Sequence, residues 1–371
     1  MRLLFRTDAS LCIGSGHLMR CLTLARTLRA QGNAIWFACR QHPGHLLSLL
    51  QAEGFATLAL PELPTPPASG YAAWLGATEA EDAAALQLAV TLIPELTGQH
   101  FDWLVVDHYG LGAEFCAAMR PICPAILQID DLANRHYDCD LLLDQNLLPD
   151  LSTRYDGLLP AQCRALLGPQ WALLRPEFAG FDVSHRQFLQ SFNVQQPARL
   201  LIFFGGTDGD NLSKVAITAL QRLQESHWLA DIVIGQANPH RLLLQQLCAQ
   251  DRRLTLHIQT PGMAGLMAAA DLMIGAGGAT HWERACLGLP AVVVALADNQ
   301  RATTAYLASL GACIDLGDAS KLRSDNLASV VDNLLAQPQR RRQMSAAASQ
   351  LVPAGGGIPQ LIALLAQRPT P

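Results

Sequence analysis

A histidine at a glycine-rich turn is the residue of this sequence best placed to do chemistry. The segment Gly14-Ser15-Gly16-His17 follows a strand-like run at residues 2–6, and apolar residues recur at helical spacing from Leu18 onward. Glycines let a chain turn sharply, and the first turn of a helix offers unpaired N–H groups to an anion. Because histidine is the side chain that changes charge near neutral pH, the segment fits base catalysis on a phosphorylated or nucleotide-linked substrate. It equally fits a histidine that only caps a helix.

A second glycine-rich turn predicts a seat for a diphosphate. Gly277 and Gly278 end the run Gly275–Gly278 after a strand-like segment, and Thr280 and Glu283 then fall in the first turns of a helix. A carboxylate one turn into the helix suits the vicinal hydroxyls of a ribose, so this turn favours a nucleotide. Alternatively, Glu283 stabilises the helix start by its charge alone.

Two weaker turns have the same strand-to-helix context. Gly205 and Gly206 precede a helix that Asp210 or Asn211 can cap, and the pair fits either a phosphate contact or an ordinary connection. Asn299 and Gln300 follow another strand-like run, where amides can bond sugar or phosphate oxygens or cap a helix.

Polar clusters also follow three strand-like runs of the first half. These are Asp107-His108-Tyr109, Asp130-Asp131 and Asp144-Gln145-Asn146. Carboxyl ends of parallel strands share one edge of a sheet, where such folds bind ligands. We therefore expect these side chains to meet His17, although some of the aspartates will serve only as loop caps.

The spacing argues against other common sites. No His, Cys or carboxylate spacing resembles a metal site, no third glycine completes a nicotinamide fingerprint, and no G-x-S-x-G nucleophile elbow is present. We expect neither a metal nor a cofactor.

Strand-like and helical patterns alternate along the whole chain, as in parallel α/β domains. In the first half the strands are predicted near 2–7, 34–39, 55–60, 102–107, 124–129 and 139–143, with helices at 17–31 and 79–97. In the second half they are predicted from Leu200 to Phe204 and near 230–234, 254–258, 271–274, 291–295 and 312–315, before a last helix at 358–366. A proline-rich loop at 61–67 precedes Trp74-Leu75-Gly76, which we expect to close a flap over the first domain.

Two domains are expected from 371 residues of which 50% are hydrophobic. With a linker within 176–197, we predict Rossmann-like domains at 1–185 and 186–371, facing a ligand cleft, with a last helix that can cross back onto the first domain. A net charge of −5 argues against nucleic-acid and anionic-membrane partners. The ten cysteines lack a C-x-x-C pair, and Arg6 and Asp8 interrupt the first apolar run, so we expect reduced thiols and a cytoplasmic protein.

The ordered succession of motifs resembles the PseG family of UDP-2,4-diacetamido-2,4,6-trideoxy-β-L-altropyranose hydrolases, which serve pseudaminic acid biosynthesis. The matching motifs run through nearly the whole chain: Gly14-x-Gly16-His17-x-x-Arg20, Trp74-Leu75-Gly76, Asp107-His108-Tyr109, Asp130-Asp131-Leu132-Ala133, Asp144-Gln145-Asn146, Gly205-Gly206-x-Asp208-x-x-Asn211, Gly277-Gly278-x-Thr280-x-Trp282-Glu283 and Asn299-Gln300. The resemblance implies a fold of the glycosyltransferase-B type. The tail departs from a frequent nucleotide-sugar pattern, because Pro353–Gly357 lacks D-G-x-G followed by arginine.

The resemblance also implies roles for individual residues. His17 would act on the water that displaces UDP from the anomeric carbon, with inversion, and Tyr109 and Asn299 would be further catalytic residues. Together with the motifs, it gives an expected substrate-binding set of Gly14, Gly16, Arg20, Asp107, Asp131, Gly205, Gly206, Gly277, Gly278, Thr280, Glu283 and Gln300. A small-molecule UDP-sugar is the expected partner.

Two other functions remain open. A glycosyltransferase would use the same fold and UDP seat but needs an acceptor surface, and no long apolar hairpin suggests a membrane-bound acceptor. A non-catalytic nucleotide-sugar sensor would not need a histidine at the G-x-G-H turn.

Overall fold

The protein folds as two α/β units. A computed structural model describes residues 1–62, 69–93, 100–181, 197–223 and 227–367. The first unit contains Met1–Asn146, Asp150–Arg175 and the segment from Gly356 onward, and the second contains Leu147–Pro149 and Pro176–Gly355. The main division follows Arg175, earlier than the predicted boundary after residue 185.

The first unit is built on one parallel sheet. Its elements before the division are β1 (Arg2–Thr7), α1 (Gly16–Ala30), β2 (Ala34–Arg40), α2 (Leu47–Ala52), β3 (Ala56–Leu60), α3 (Gly70–Leu75), α4 (Glu79–Thr91), β4 (Trp103–Asp107), α5 (Ala113–Met119), β5 (Ile126–Ile129), β6 (Leu141–Asp144) and β7 (Arg164–Leu167). The strand order is β3-β2-β1-β4-β5-β6-β7. The chain reverses direction across the sheet between β1 and β4, so their carboxyl ends flank the switch point where such sheets bind ligands.

The second unit repeats this plan. Its elements are β8 (Ala198–Phe203), α6 (Leu212–Leu220), β9 (Trp228–Ile234), α7 (Arg241–Gln250), β10 (Leu254–Ile258), α8 (Met263–Ala269), β11 (Leu272–Ala276), α9 (Thr280–Cys286), β12 (Ala291–Ala295), α10 (Asp298–Ser309), β13 (Ile314–Asp318), α11 (Ser324–Leu335) and α12 (Pro338–Ser349). The parallel order β10-β9-β8-β11-β12-β13 puts the switch point between β8 and β11.

The last helix, α13 (Ile358–Ala366), belongs to the first unit. Its Leu361 and Leu365 are fully buried in the core formed with α1 and one face of the sheet. The indole Nε1 of Trp103 donates to the carbonyl oxygen of Leu365 at 2.9 Å. Alternation along β1 explains the two-sided packing, because Leu3 and Phe5 face this core while Leu4 faces the core under α4 and α5.

Most differences from the predicted elements concern short or polar segments. Strand β7 was not predicted, because its side chains alternate poorly and two of its four positions are exposed. Helix α4 ends at Thr91, while the predicted helix ran to residue 97, of which 94–97 lie outside the described residues. Residues 63–67 of the proline-rich loop and 182–196 of the predicted linker also lie outside them. In the described ranges, no helix combines the length and apolar character needed to span a membrane.

Candidate active site

Helix α1 places His17 beside a carboxylate at the end of β4. Because α1 begins at Gly16, His17 lies in its first turn, and its Nδ1 is 2.6 Å from Asp107 Oδ1. His17 is 7% exposed and Asp107 is fully buried. Gly14, with φ of +76°, supplies the turn before the helix. His17 is therefore held by a strand end and does not serve as a helix cap.

Hydrogen-bond chemistry assigns the ring proton of His17 to Nδ1. Burial raises the pKa of Asp107, but the charge of Arg20 and the hydrogen bonds from Arg20 and His17 outweigh burial and hold it well below its usual range, so the carboxyl is ionised. Arg20 Nη2 also lies 3.1 Å from Nδ1, but it has a closer acceptor in Asp107 Oδ1 at 2.6 Å. A lone pair on Nδ1 facing the ionised oxygen at 2.6 Å would be repelled, so Nδ1 carries a hydrogen and donates it. In the neutral ring this hydrogen position leaves the lone pair on Nε2, which is the arrangement that a general base requires.

Arg20 and Tyr109 extend this hydrogen-bond network to Asp131. Arg20 Nε donates to Asp107 Oδ2 at 2.5 Å, and its Nη1 lies 3.5 Å from Asp131 Oδ2. The Tyr109 hydroxyl donates to Asp131 Oδ1 at 2.6 Å, and its ring meets His17 edge-on with centroids 4.5 Å apart. Burial and the Asp131 carboxylate raise the pKa of Tyr109, so its hydroxyl keeps the proton. The structure thus brings together five residues of the predicted site.

The predicted flap is a short helix packed on Tyr109. Trp74 and Leu75 end α3, and Gly76 follows with φ of +66°. The rings of Tyr71 and Trp74 lie 5.0 and 5.9 Å from that of Tyr109. This aromatic packing fixes the plane of the Tyr109 ring beside His17.

The first unit also contains a buried network of charged side chains that the sequence analysis did not predict. Arg6, Asp8, Arg40 and Asp82 are all fully buried. Arg6 bonds Asp82 through Nε at 2.8 Å and Asp8 through Nη1 at 2.6 Å, and Arg40 pairs with the same Asp82. Asp8 comes directly after β1, so the rule applied to the ends of β4, β5 and β6 would also have found it. Removing one member would leave an uncompensated buried charge, which is strongly destabilising.

His108 anchors the strand end that carries Tyr109. Its Nδ1 accepts the N–H of Gly110 at 2.9 Å, which leaves the ring hydrogen on Nε2, 3.6 Å from Asp8 Oδ2. Burial, opposed by Asp8, lowers the pKa of His108 to about 3, so the ring stays neutral. A Cβ at Gly110 would lie 2.7 Å from the Tyr71 carbonyl oxygen, which explains the glycine there.

Two of the predicted strand-end aspartates organise loops. Asp130 Oδ2 accepts the N–H groups of Leu132 and Ala133, each at 2.9 Å, and the Tyr137 hydroxyl at 2.7 Å. Asp144 accepts the Asn146 N–H at 2.9 Å and pairs with Arg154 at 2.7 Å. Their contacts hold the connections after β5 and β6.

In the second unit, the start of helix α6, which follows β8, is capped by a residue that was not predicted as a cap. Asp208 accepts the N–H groups of Leu212 at 2.8 Å and Ser213 at 2.9 Å, so the predicted capping by Asp210 or Asn211 is wrong. The carboxylate of Asp208 already occupies the start of α6. Gly205 has φ of +90°, and the Gly206 carbonyl accepts the Gly235 N–H at 2.8 Å. Gly206 thus has a packing role as well as its predicted ligand role.

The turn after β11 lies against the start of α10. A Cβ at Gly277 would lie 3.0 Å from Thr304 Oγ1 and 3.3 Å from Gln300 Cβ, and Gly278 has φ of +84°. The Gln300 side chain accepts the Leu296 N–H at 3.0 Å.

The remaining predicted residues of the second unit occupy the same two helix starts. Thr280 begins α9 and Glu283 lies in its first turn, half-buried, while Asn299 is exposed in the first turn of α10. Gly277 and Gly278 therefore lie against Gln300 at the carboxyl end of β11, and Thr280 and Glu283 follow them in α9. Within the part of the chain that the structure describes, no three or more metal-ligating side chains are arranged to hold an ion.

Comparison with known proteins supports both the fold and the expected resemblance. Residues 200–355 match the Glycosyltransferase family 28 C-terminal domain. The UDP-2,4-diacetamido-2,4,6-trideoxy-beta-L-altropyranose hydrolase of Campylobacter jejuni is 28% identical over 312 residues, which cover 84% of this chain and 97% of that protein. The spore coat polysaccharide biosynthesis protein SpsG of Bacillus subtilis is 24% identical over 76% of this chain and 80% of its own.

A solved structure extends the likeness over the whole fold. MurG of Acinetobacter baumannii matches with a TM-score of 0.68 at 17% identity, covering 99% of both chains. The predicted fold class, two Rossmann-like units of the glycosyltransferase-B type, is confirmed, as is the resemblance to the UDP-sugar hydrolase.

Proposed function

We propose that this chain hydrolyses UDP-2,4-diacetamido-2,4,6-trideoxy-β-L-altropyranose to UDP and the free sugar, a step of pseudaminic acid biosynthesis. The observation that carries the proposal is the 2.6 Å contact between His17 Nδ1 and Asp107, which leaves Nε2 as the base. The resemblance to the Campylobacter jejuni hydrolase over 84% of the chain supports the choice of substrate.

The mechanism is a single displacement by water. His17 Nε2 accepts a proton while the water oxygen attacks the anomeric carbon, and the bond from that carbon to the UDP oxygen breaks with its electron pair leaving on UDP. The configuration at the anomeric carbon is therefore inverted. Asp107 stabilises the imidazolium that forms, and general-base catalysis of this kind contributes about 10²- to 10⁴-fold. The Tyr109 hydroxyl, whose hydrogen goes to Asp131 Oδ1, accepts a hydrogen bond from a hydroxyl or amide N–H of the sugar.

The second unit holds UDP in this proposal. Glu283 accepts hydrogen bonds from the ribose hydroxyls, while Gly277, Gly278 and Gln300 contact the diphosphate. Asn299, exposed in the first turn of α10, donates its amide to the leaving oxygen. Fixed donors of this kind stabilise developing charge without reorganising.

The experiment that tests the function is incubation of the full chain with a panel of UDP-sugars, with UDP and free sugar scored separately. We expect UDP and free sugar in equal amounts, without any acceptor, and fastest with the diacetamido altropyranose donor. Release of UDP only when an acceptor is added would contradict hydrolysis.

A glycosyltransferase is the second candidate function. It is favoured by the match of residues 200–355 to a glycosyltransferase family 28 domain. The acceptor arm of the same panel separates the two, because a transferase forms a glycosylated acceptor in place of free sugar.

Hydrolysis in ¹⁸O-labelled water is expected to label the sugar and leave UDP unlabelled. The reason is that the proposed base delivers water to the anomeric carbon rather than to phosphorus. Mass spectrometry of both products at early time points makes the measurement, since ring-opening exchanges sugar oxygen slowly. Label in UDP from the first turnover would identify attack on phosphorus and remove the role given to His17.

Glu283→Ala is expected to weaken UDP binding about tenfold or more, as expected for a lost hydrogen bond to a charged group. Calorimetry with UDP and with 2′,3′-dideoxy-UDP measures the effect, because the dideoxy ligand lacks the proposed partner. The substitution should then leave dideoxy-UDP affinity unchanged. An equal loss for both ligands would return Glu283 to a role in stabilising α9.

Chelation is expected to leave the rate of UDP release unchanged, because protein donors are proposed to carry the diphosphate charge. Rates are compared before and after exhaustive dialysis against EDTA. A loss that Mg²⁺ or Mn²⁺ restores would overturn this metal-free mechanism.

A further inference from the structure

A buried chain of side chains joins the two helix starts of the second unit. His281 follows Thr280 in α9, Arg284 lies one turn later, and Thr304 lies in α10. Their exposed fractions are 1%, 1% and 0%. Neither the sequence motifs nor the proposed mechanism uses these three residues.

The donors of this chain all point in one direction. A guanidinium can only donate, so the 3.0 Å contact of Arg284 Nη2 makes His281 Nδ1 an acceptor and leaves the ring hydrogen on Nε2. That Nε2 lies 3.0 Å from Thr304 Oγ1, which therefore accepts, and the Thr304 hydroxyl donates to the Gln300 carbonyl oxygen at 2.8 Å. Burial, with the neighbouring Arg284 charge, lowers the pKa of His281 well below its usual range, so the ring stays neutral.

The chain lies directly against the glycine turn. A Cβ at Gly277 would be 3.1 Å from His281 Nε2 and 3.0 Å from Thr304 Oγ1, the two atoms that share the central bond. The other Arg284 nitrogen, Nη1, donates to the Ala312 carbonyl oxygen at 2.9 Å, which ties the chain to the connection before β13. The hydrogen bond between His281 and Thr304 thus joins α9, which follows the Gly277 turn, to α10, which carries Gln300.

We infer that the Arg284–His281–Thr304 chain positions the Gly277-Gly278 turn and Gln300 as a single seat for a nucleoside diphosphate. This inference rests on the proposed function, which assigns UDP to these residues. His281 and Thr304 are positioning residues that touch no substrate atom, so their loss weakens diphosphate binding and largely spares turnover at saturation.

Thr304→Val tests the inference, because valine keeps the branched shape and removes the hydroxyl. We expect UDP affinity by calorimetry to fall about tenfold, KM to rise in parallel, and kcat to change little. Thr304→Ser, which keeps the hydroxyl, should restore affinity. The matched control is Thr303→Val in the same helix, since the buried Thr303 Oγ1 has no hydrogen-bond partner among the described residues.

The other outcomes are also decisive. Equal UDP affinity for Thr304→Val and Thr303→Val overturns the inference. If the wild-type chain binds no UDP, the proposed function fails instead. Hydrogen exchange of residues 275–284 then tests whether Thr304 positions the Gly277-Gly278 turn. Faster exchange in Thr304→Val than in Thr303→Val supports the inference, and equal exchange overturns it. If Thr304→Val does not fold, a pair of His281 variants replaces it. His281→Gln has an amide donor near the Nε2 position, whereas the shorter amide of His281→Asn does not reach Thr304. His281→Gln must then bind UDP more tightly than His281→Asn, and equal binding by the two overturns the inference.

Discussion

His17→Asn is expected to lower kcat about 10²- to 10⁴-fold, the usual contribution of a general base. Asparagine keeps an N–H donor near the Nδ1 position, so Asp107 and Arg20 stay paired, but it has no atom in place of Nε2. UDP affinity should change by no more than a few-fold, because the lost interaction belongs to the transition state. Steady-state UDP release and calorimetry with UDP measure the two quantities.

A second histidine–carboxylate pair provides the control. His257 on β10 lies 2.7 Å from Asp231 on β9 through its Nε2, and both side chains are partly exposed. His257→Asn breaks a pair of the same kind without touching the proposed site, so it should keep wild-type kcat. Wild-type kcat in His17→Asn would show that another group activates the water.

How much of the site could be predicted depended on the geometry of parallel strands. His17, Asp107 and Asp131 are far apart in sequence, yet each lies at or after the carboxyl end of a strand at or beside the β1/β4 switch point. Because parallel strands place these ends along one edge, their meeting could be predicted without knowing a single contact.

The pairing of individual side chains could not be predicted. Four aspartates end the strands β4, β5 and β6, and only packing decided that Asp107 takes His17 and Arg20 while Asp130 takes backbone N–H groups. The contact of Arg6 with Asp82 spans 76 residues and leaves no periodic pattern. Likewise, Asp208 caps α6 from four residues before Leu212, while Asn211, at the N-cap position with φ of +55°, makes no side-chain cap.

Asp107→Asn is expected to lower kcat by up to about 10⁴-fold, the loss found when the aspartate of a catalytic triad is replaced in this way. The asparagine amide donates where the carboxylate accepted, so the His17 hydrogen moves to Nε2 and the base is lost. Arg20 also loses its carboxylate partner, and removing one member of a buried ion pair costs about 3–5 kcal/mol of stability. Thermal unfolding must therefore be measured beside UDP release, below the melting temperature of the variant.

The double variant His17→Asn/Asp107→Asn separates these two effects. If Asp107 acts on catalysis through His17, then kcat of the double variant equals that of His17→Asn, because a base that is absent cannot be misoriented. In contrast, the double variant should still lose the stability that the ion pair between Arg20 and Asp107 contributes. A double variant whose kcat falls by the product of the two single losses would mean that Asp107 contacts the reacting groups independently. The Nδ1 contact at 2.6 Å would then be structural.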